Sequence, residues 1–296
     1  MSDSVLITGA GTGLGLATAL YLARQGFKVY ASVQHLGQQE EVDAAAAERG
    51  VSLRVLQLDV TDQASIEATV DTIVAECGGI YGLVNNAGID LRGFFEDLSE
   101  EEIRRVFDVN VFGTMAVTRA ALPHMRPTRR GRIVIISSVA GRIAVMASSA
   151  YSSSKFALEG FSESLAQEVM PFGLYVSLIE PGFVMTPIFS INRRRAKMAM
   201  DPDRPYYAWF VQHEKMIDDL VQKRWITPWD VAQAVHRALT AKRPRLRYVV
   251  GTRAKLVISL RRHIPGELFE RIFFAEVARR VTSGAREQGS KGASDQ

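Results

Sequence analysis

Short apolar runs alternate along this chain with longer amphipathic stretches. Val5–Ile7, Phe27–Val33, Leu53–Leu58, Ile80–Val84, Arg132–Ser137, Tyr175–Ile179 and Leu246–Val250 are brief and rich in Val, Ile and Leu. Such runs read as strands buried on both faces. The stretches between them carry helical periodicity. Leu16–Ala23, Glu40–Arg49, Ile66–Cys77, Ser148–Val169 and Pro228–Leu239 each show an apolar side or good helix formers, and Pro228 stands near N1. Ser99 and Glu102 have the spacing of a capping box, which predicts a long helix opening there. Ile103, Val106, Phe107, Val109, Val111, Met115 and Val117 mark its buried side, and Pro123 and Pro127 are expected to end it. Strand and helix in strict alternation predict an α/β fold.

The rhythm breaks in two places. Residues 188–227 hold Arg193-Arg194-Arg195, Pro202, Pro205 and Tyr206-Tyr207-Ala208-Trp209-Phe210. An insertion between a late strand and its return helix is the expected position of a substrate lid. Its aromatic residues suit an apolar substrate wall, a subunit contact or ordinary packing. Beyond Gly251 the pattern becomes helical again. Leu256–Ile264 is one amphipathic piece, and Phe269, Ile272, Phe273, Val277 and Val281 form a stripe flanked by arginines in a second. Such a stripe suits an interfacial membrane helix over residues 254–281, or a helix covering the site mouth or a partner subunit. Residues 284–296 are polar and rich in Gly and Ser, and disorder is expected there. The expected division is thus a domain over 1–251, an amphipathic extension over 252–283 and a disordered tail.

Charge sharpens the picture of the tail. The chain carries +4 overall, yet residues 242–280 hold eleven Lys and Arg against Glu267, Glu270 and Glu276, a local +8. The remainder is therefore net acidic, which argues against nucleic acid as the main partner. Cys77 is the one cysteine, so neither an intrachain disulfide nor a cysteine metal cluster is expected. Met1-Ser-Asp-Ser runs straight into Val5-Leu6-Ile7, so no secretory signal is read, and no apolar run reaches the ~20 residues of a spanning helix. A cytoplasmic protein, with peripheral membrane contact as an option, is the expectation.

Candidate chemistry sits at the strand ends. Thr8-Gly9-Ala10-Gly11-Thr12-Gly13-Leu14-Gly15 joins the first strand to the first helix. A glycine turn at a helix N-terminus lets backbone amides approach a pyrophosphate, so a dinucleotide site is expected. The second strand ends at Val33-Gln34-His35, with neither the acid usual for NAD nor the Arg usual for NADP. Without a cation for a 2′-phosphate the reading leans to NAD. His35 either helps bind a phosphate or stays a solvated loop residue. Asp59, before Val60, suits an adenine amino group or a helix cap equally. Asn85-Asn86-Ala87-Gly88 after the fourth strand suits close approach of a ribose. Pro181-Gly182-Phe183-Val184-Met185-Thr186 after the sixth suits a ligand-facing loop, and Thr186 the nicotinamide side or a cap. Tyr151 and Lys155 stand four apart and share one helix face. An ammonium beside a phenol favours the phenolate, which makes the pair a candidate general acid and base. Ser138, at the end of the fifth strand, can donate to a substrate oxygen. Asn110, amid apolar neighbours, must be satisfied by a water near Lys155 or by a kinked backbone.

Together these motifs resemble the short-chain dehydrogenase/reductase family over about residues 4–251. Thr8–Gly15, Asn85–Gly88, Asn110, Ser138, Tyr151-x-x-x-Lys155 and Pro181-Gly182 occur in the family's order. The resemblance implies a Rossmann-type doubly wound sheet of seven mainly parallel strands with helices on both faces. It implies Tyr151 as proton donor or acceptor, Ser138 polarising the reacting oxygen, Lys155 lowering the Tyr151 pKa and binding the nicotinamide ribose, and Asn110 holding a relay water. Gly9, Gly13 and Gly15, with Thr12 and Leu14 between and beside them, would shape the pyrophosphate loop. Val33, Gln34, Asp59 and Val60 would meet the adenosine, Asn86, Ala87 and Gly88 the ribose, and Pro181, Gly182, Val184 and Thr186 the carboxamide side. NAD or NADP would be the cofactor, with no metal. Phe27–Val33, Lys155–Gly160 and Phe172–Gly182 look like the hydroxysteroid and retinol dehydrogenase branch, which implies a lipophilic alcohol or carbonyl and a homodimer or homotetramer. A catalytically silent dinucleotide sensor or scaffold of the same fold is the alternative.

Overall fold

A computed structural model describes residues 3–186, 193–222 and 226–292, with 283–292 as backbone only. Seven strands form one sheet: β1 (Ser4–Ile7), β2 (Lys28–Val33), β3 (Arg54–Gln57), β4 (Gly82–Asn85), β5 (Arg132–Ile136), β6 (Tyr175–Pro181) and β7 (Arg247–Val250). Their order is β3-β2-β1-β4-β5-β6-β7, and every neighbouring pair is parallel. Each expected strand is present within a residue or two of its apolar run.

The period of two along each strand divides the core. Val5, Ile7, Val29, Ala31, Val84, Val134 and Ile136 face one way, with helices α1 (Gly13–Arg24), α2 (Gln39–Glu48) and α8 (Pro228–Thr240). Leu6, Tyr30, Leu83, Ile133, Ile135 and Leu178 face the other, against α3 (Gln63–Cys77), α5 (Thr114–Met125) and α6 (Ser149–Val169). A sheet covered on both faces needs apolar residues at successive positions, which is why these strands read as unbroken runs. The strand order reverses between β1 and β4. Ligands of such sheets sit beyond the strand C-termini at that switch point.

The capping box is present: Ser99 Oγ accepts from the Glu102 amide and the Glu102 carboxylate from the Ser99 amide. It opens α4 (Glu100–Phe107), but the expected single helix is interrupted. Asp108–Gly113 forms a π turn before α5 (Thr114–Met125). A Cβ on Gly113 would lie 2.7 Å from Val60 Cγ2, so the turn packs closely on the β3 end. Pro123 lies inside α5 and does not end it. A proline in the last turn loses only one helical bond.

The helix after β5 is α6 (Ser149–Val169). Two buried acids anchor it. Glu159 accepts from Ser137 Oγ at 2.7 Å and from Arg247 Nε at 2.8 Å. Glu180, fully buried on β6, pairs with Arg142 at 3.1 Å and Arg247 at 3.2 Å. Burial, with Glu159 close by, pushes Glu180 up to about 7 against the pull of both arginines.

Past β6 come α7 (Tyr207–Gln222), α8 (Pro228–Thr240), α9 (Thr252–His263) and α10 (Gly266–Gly292). Of the expected lid, 188–192 and 223–225 lie outside the described residues. The lid's aromatic cluster turns to packing: Tyr206 stacks on Phe94 at 4.7 Å between centroids, and Phe210 is buried with Ala147, Ala196 and Ala199. α10 runs as helix from Gly266 to Gly292. Residues 293–296 lie outside the described residues.

Arg247 bridges both buried acids, so Arg247→Ala should leave two carboxylates short of a partner and destabilise the protein by about 3–5 kcal/mol. Urea unfolding of wild type and variant measures this, and an unchanged midpoint would show the network to be dispensable.

Candidate active site

The strand C-termini open into one continuous cavity of about 870 Å³. It runs from the glycine loop, past the β4 and β5 ends, to α7, α9 and α10.

At one end the chain is shaped for a phosphate. Gly9 has φ +65°, and a Cβ there would lie 2.9 Å from the Ala87 Cα. A Cβ on Gly15 would lie 2.2 Å from the Gly9 carbonyl oxygen. Only glycine allows the loop to fold this tightly against the β4 end. Thr12 precedes α1 without capping it through its side chain, and the first turn carries no acid. The helix amides and the positive end of its dipole are therefore left for an anion. Thr8 and Asn86 lock the two loops together. Thr8 Oγ1 accepts from the amides of Asn86 and Ala87 at 3.0 and 2.9 Å, and Asn86 Nδ2 donates to the carbonyls of Thr8 and Gly9 at 2.8 and 2.9 Å. Asn86 is thus a scaffold residue as well as part of the lining.

At the β2 end, Val33, Gln34, Asp59 and Val60 line the cavity. Gln34 Nε2 donates to Asp59 Oδ2 at 2.9 Å, and Thr61 donates to Asp59 Oδ1 through its amide and its hydroxyl. Burial pushes the Asp59 acid up, but these bonds and Arg105 outweigh it and hold the carboxyl below its usual range. The cap of α3 is Asp62, not Asp59. Lys28 lies at the other end of β2, with Glu76 at 3.7 Å, roughly 16 Å along the strand from the cavity. Two residues missed in the sequence belong here. Gln38 leans over the glycine loop, and Arg105 of α4 reaches the adenosine side. Nothing in their local sequence marks them.

The middle of the cavity holds Ser138, Tyr151 and Lys155. Lys155 is buried, and its Nζ donates to the Ile136 carbonyl at 2.9 Å. Its Nζ lies 5.5 Å from the Tyr151 ring centroid. Burial pulls the ammonium down to about 8, opposed by the charges of Asp90 and Glu159. Burial also drives the Tyr151 phenol above its usual value, Asp90 adds to this, and a hydrogen bond with Ser138 opposes it. The expected lowering by Lys155 is therefore not the dominant effect in this cavity; desolvation is.

Asn110 is the one nominated residue outside the cavity lining. It is fully buried in the π turn. Its Oδ1 accepts from the Ile89 amide at 2.8 Å, and its Nδ2 donates to the Ile89 carbonyl at 2.9 Å and Ser154 Oγ at 3.0 Å. Those contacts clamp α6 to the β4 loop. A Cβ on Gly88 would lie 3.2 Å from Asn110 Oδ1 and 3.8 Å from Lys155 Nζ, which explains a glycine there.

Pro181, Gly182, Val184 and Thr186 line the cavity beyond β6. The far wall is mostly apolar: Val145, Met146, Met216, Ile217, Leu220, Val257, Phe273 and Val277. The α7 contribution comes from the turns after the aromatic cluster, and the tail helices cover the mouth. His213 of α7 is fully buried on this wall with neither ring nitrogen bonded. Burial brings it down to about 4, against Glu214, so it is neutral. Among the described residues no group of acids, His and Cys is arranged to hold a metal.

Comparison with known proteins bears on this arrangement. A family model for short chain dehydrogenases matches residues 3–197. Bovine (Bos taurus) retinol dehydrogenase 8 is 36% identical over 280 residues, covering 90% of this chain and 88% of that protein. Human (Homo sapiens) 17-beta-hydroxysteroid dehydrogenase type 1 is 37% identical over 265 residues, covering 87% and 80%. The crystal structure of a short chain dehydrogenase/reductase from Burkholderia phymatum in complex with NAD superposes with a TM-score of 0.77 at 26% identity, covering 88% of this chain and 93% of that one. With the sheet order, the glycine loop and the Ser138–Tyr151–Lys155 cluster in one cavity, these matches make the chain a member of the short-chain dehydrogenase/reductase family, in its hydroxysteroid and retinol dehydrogenase-like branch.

Proposed function

We propose that this protein interconverts a lipophilic alcohol and its ketone or aldehyde with a nicotinamide dinucleotide. The observation that carries the reading is the enclosure of Ser138, Tyr151 and Lys155 between a phosphate-shaped loop and an apolar wall. The glycine cradle and the open N-terminus of α1 fit a pyrophosphate. The cofactor, when bound, supplies or accepts the hydride. In the reductive direction Tyr151 gives its hydroxyl proton to the substrate oxygen as that oxygen gains charge. Ser138 steadies the same oxygen. Lys155, held by the Ile136 carbonyl, places a positive charge behind the phenol and eases loss of its proton. In the oxidative direction the same groups take the proton back. Retinol and hydroxysteroid dehydrogenases, the relatives named above, support a bulky apolar substrate, as does the wall from α7, α9 and α10.

NAD is the proposed cofactor. At the β2 end Gln34 is turned to Asp59, and Arg105 sits in the field of that carboxylate. This leaves a balanced corner with little pull on a 2′-phosphate. A membrane surface is the proposed setting. Leu256, Leu260, Leu268, Ile272 and Phe274 of α9 and α10 are 42–60% exposed beside basic side chains. Such a face suits an anionic bilayer, and the cavity mouth lies between the same helices. No helix among the described residues is long and apolar enough to cross a membrane.

Three outcomes are expected. Tyr151→Phe should lower kcat/KM for a lipophilic carbonyl by about 10²- to 10⁴-fold with little change in cofactor affinity; undiminished turnover would sink the assignment of Tyr151 as the proton donor, and no hydride transfer in the wild type with any lipophilic carbonyl or alcohol would favour a dinucleotide-binding scaffold. In paired fluorescence titrations NADH should bind tighter than NADPH. The reverse order would assign the 2′-phosphate to Arg105 or His35, and alanine at either would then restore parity. In sedimentation with vesicles containing phosphatidylserine, the protein should pellet at low salt, and Ile272→Glu with Phe274→Glu should leave it in the supernatant. Failure of the wild type to pellet would remove the membrane from the proposal.

A further inference from the structure

Arg193, Arg194 and Arg195 stand in a row on a segment laid beside the loop that follows β4. The Arg92 amide donates to the Arg194 carbonyl at 3.1 Å, and the Ala196 amide donates to the Arg92 carbonyl at 2.7 Å. The next residue of the loop is tied to the segment before α6, with the Gly93 amide donating to the Ala147 carbonyl at 2.9 Å. Ser148 follows, and Tyr151 lies in the first turn of α6. These backbone bonds set the three arginines on the substrate side of Tyr151, by the part of the wall that holds Met146. Successive side chains of an extended segment point to opposite sides. Arg193 and Arg195 both turn to α7. Arg195 Nε donates to Glu214 Oε2 at 2.5 Å, Arg193 Nη1 lies 3.6 Å from the same oxygen, and Arg193 Nη2 donates to Asp218. Arg194, between them, is exposed and lines the cavity. Among the described residues no carboxylate pairs with it. Asp90 and Glu276, the acids on this side of the cavity, each have a cation already: Asp90 Oδ2 lies 3.3 Å from Arg92 Nε, and Glu276 accepts from Arg279 and Arg280.

We propose that Arg194 is a specificity determinant, and that the lipophilic substrate carries an anionic group, a carboxylate or phosphate, remote from its reacting carbon, which Arg194 pairs with at the cavity rim. This rests on the oxidoreductase reading above. The apolar part of such a molecule fills the cavity. Its anion stays at the rim, where it keeps part of its hydration and gains a charge-assisted bond, so no bare charge is buried. A guanidinium presents two parallel N–H groups that match either oxyanion. The outer arginines fix the segment to α7, and the middle one reads the ligand. The segment pairs with Arg92 and not with the glycine loop, which assigns the anion to the substrate and not to the cofactor's pyrophosphate.

The test is reduction of long-chain oxo acids with the ketone at successive positions, each beside its methyl ester and a chain-matched oxoalkyl phosphate. At the best ketone position wild type should favour the acid or the phosphate over the ester by about tenfold in kcat/KM, mostly through KM, and the larger ratio names the anion. Arg194→Gln should bring that ratio to about one, and Arg194→Glu should turn it below one. Arg194→Lys should keep part of the preference, which separates lost recognition from a lost fold. Equal rates for ester and anion in wild type at every ketone position, or a preference that survives in Arg194→Gln, would overturn the proposal. So would a loss of NADH affinity of about tenfold or more in Arg194→Gln, since the guanidinium would then serve the cofactor. Reduction of the esters with no gain from the anion defeats this proposal alone. Reduction of none of the compounds defeats the oxidoreductase reading with it.

Discussion

The rest of this structure is arranged around an ammonium group held out of water. Lys155 loses its solvation inside α6 and recovers part of it from the Ile136 carbonyl, at the end of β5. That bond requires the catalytic helix to lie against one particular strand end. Several features enforce this. Asn110, in its π turn, ties the β4 loop to Ser154, one residue before Lys155. Ser137, one residue past β5, reaches Glu159 one helical turn further on. The helix is thus pinned on both sides of the residue whose position matters.

Behind the site, Glu159, Glu180, Arg142 and Arg247 form a largely buried set of charges that joins α6 to β6 and β7. On the substrate side, Asp90, Arg92, Glu214, Arg193 and Arg195 form another, which joins the β4 loop to α7. Backbone bonds reinforce it, with the Arg92 amide donating to the Arg194 carbonyl and the Ala196 amide to the Arg92 carbonyl. Buried ion pairs gain little net stability, because desolvation offsets their attraction. What such pairs do provide is geometry, since each charge accepts few alternative positions. Asp90 and Arg92 of the second set line the cavity itself.

Burial also sets the chemistry of the central pair. Desolvation disfavours charge on both Tyr151 and Lys155, raising the phenol and bringing the ammonium down to about 8. A helix face carrying Tyr and Lys four apart states only that the two are neighbours. The direction in which each titrates depends on how much water the surrounding fold excludes.

Much was legible in the sequence because it is written in local, periodic signals. The seven strands, the glycine turn, the Ser99 capping box and the helix-sharing of Tyr151 and Lys155 each depend on residues within a few positions of one another. Strand alternation and helix propensity express such short-range constraints directly. The π turn, the inner position of Pro123 and the helix continuing to Gly292 were not legible in this way. At the break in the long helix Gly113 meets Val60, fifty-three positions earlier in the chain, a contact no local pattern announces. Asp90, His213, Gln38 and Arg105 were missed for the same reason. Their types are common in loops and on helix surfaces, and each acquires meaning only from what the fold brings against it. The sequence alone determined the sheet, the glycine turn and the sharing of one helix face by Tyr151 and Lys155, since these are local patterns. The tertiary structure alone decided which polar groups stand without partners in the cavity and which helices close it, because desolvation is a property of the assembled walls.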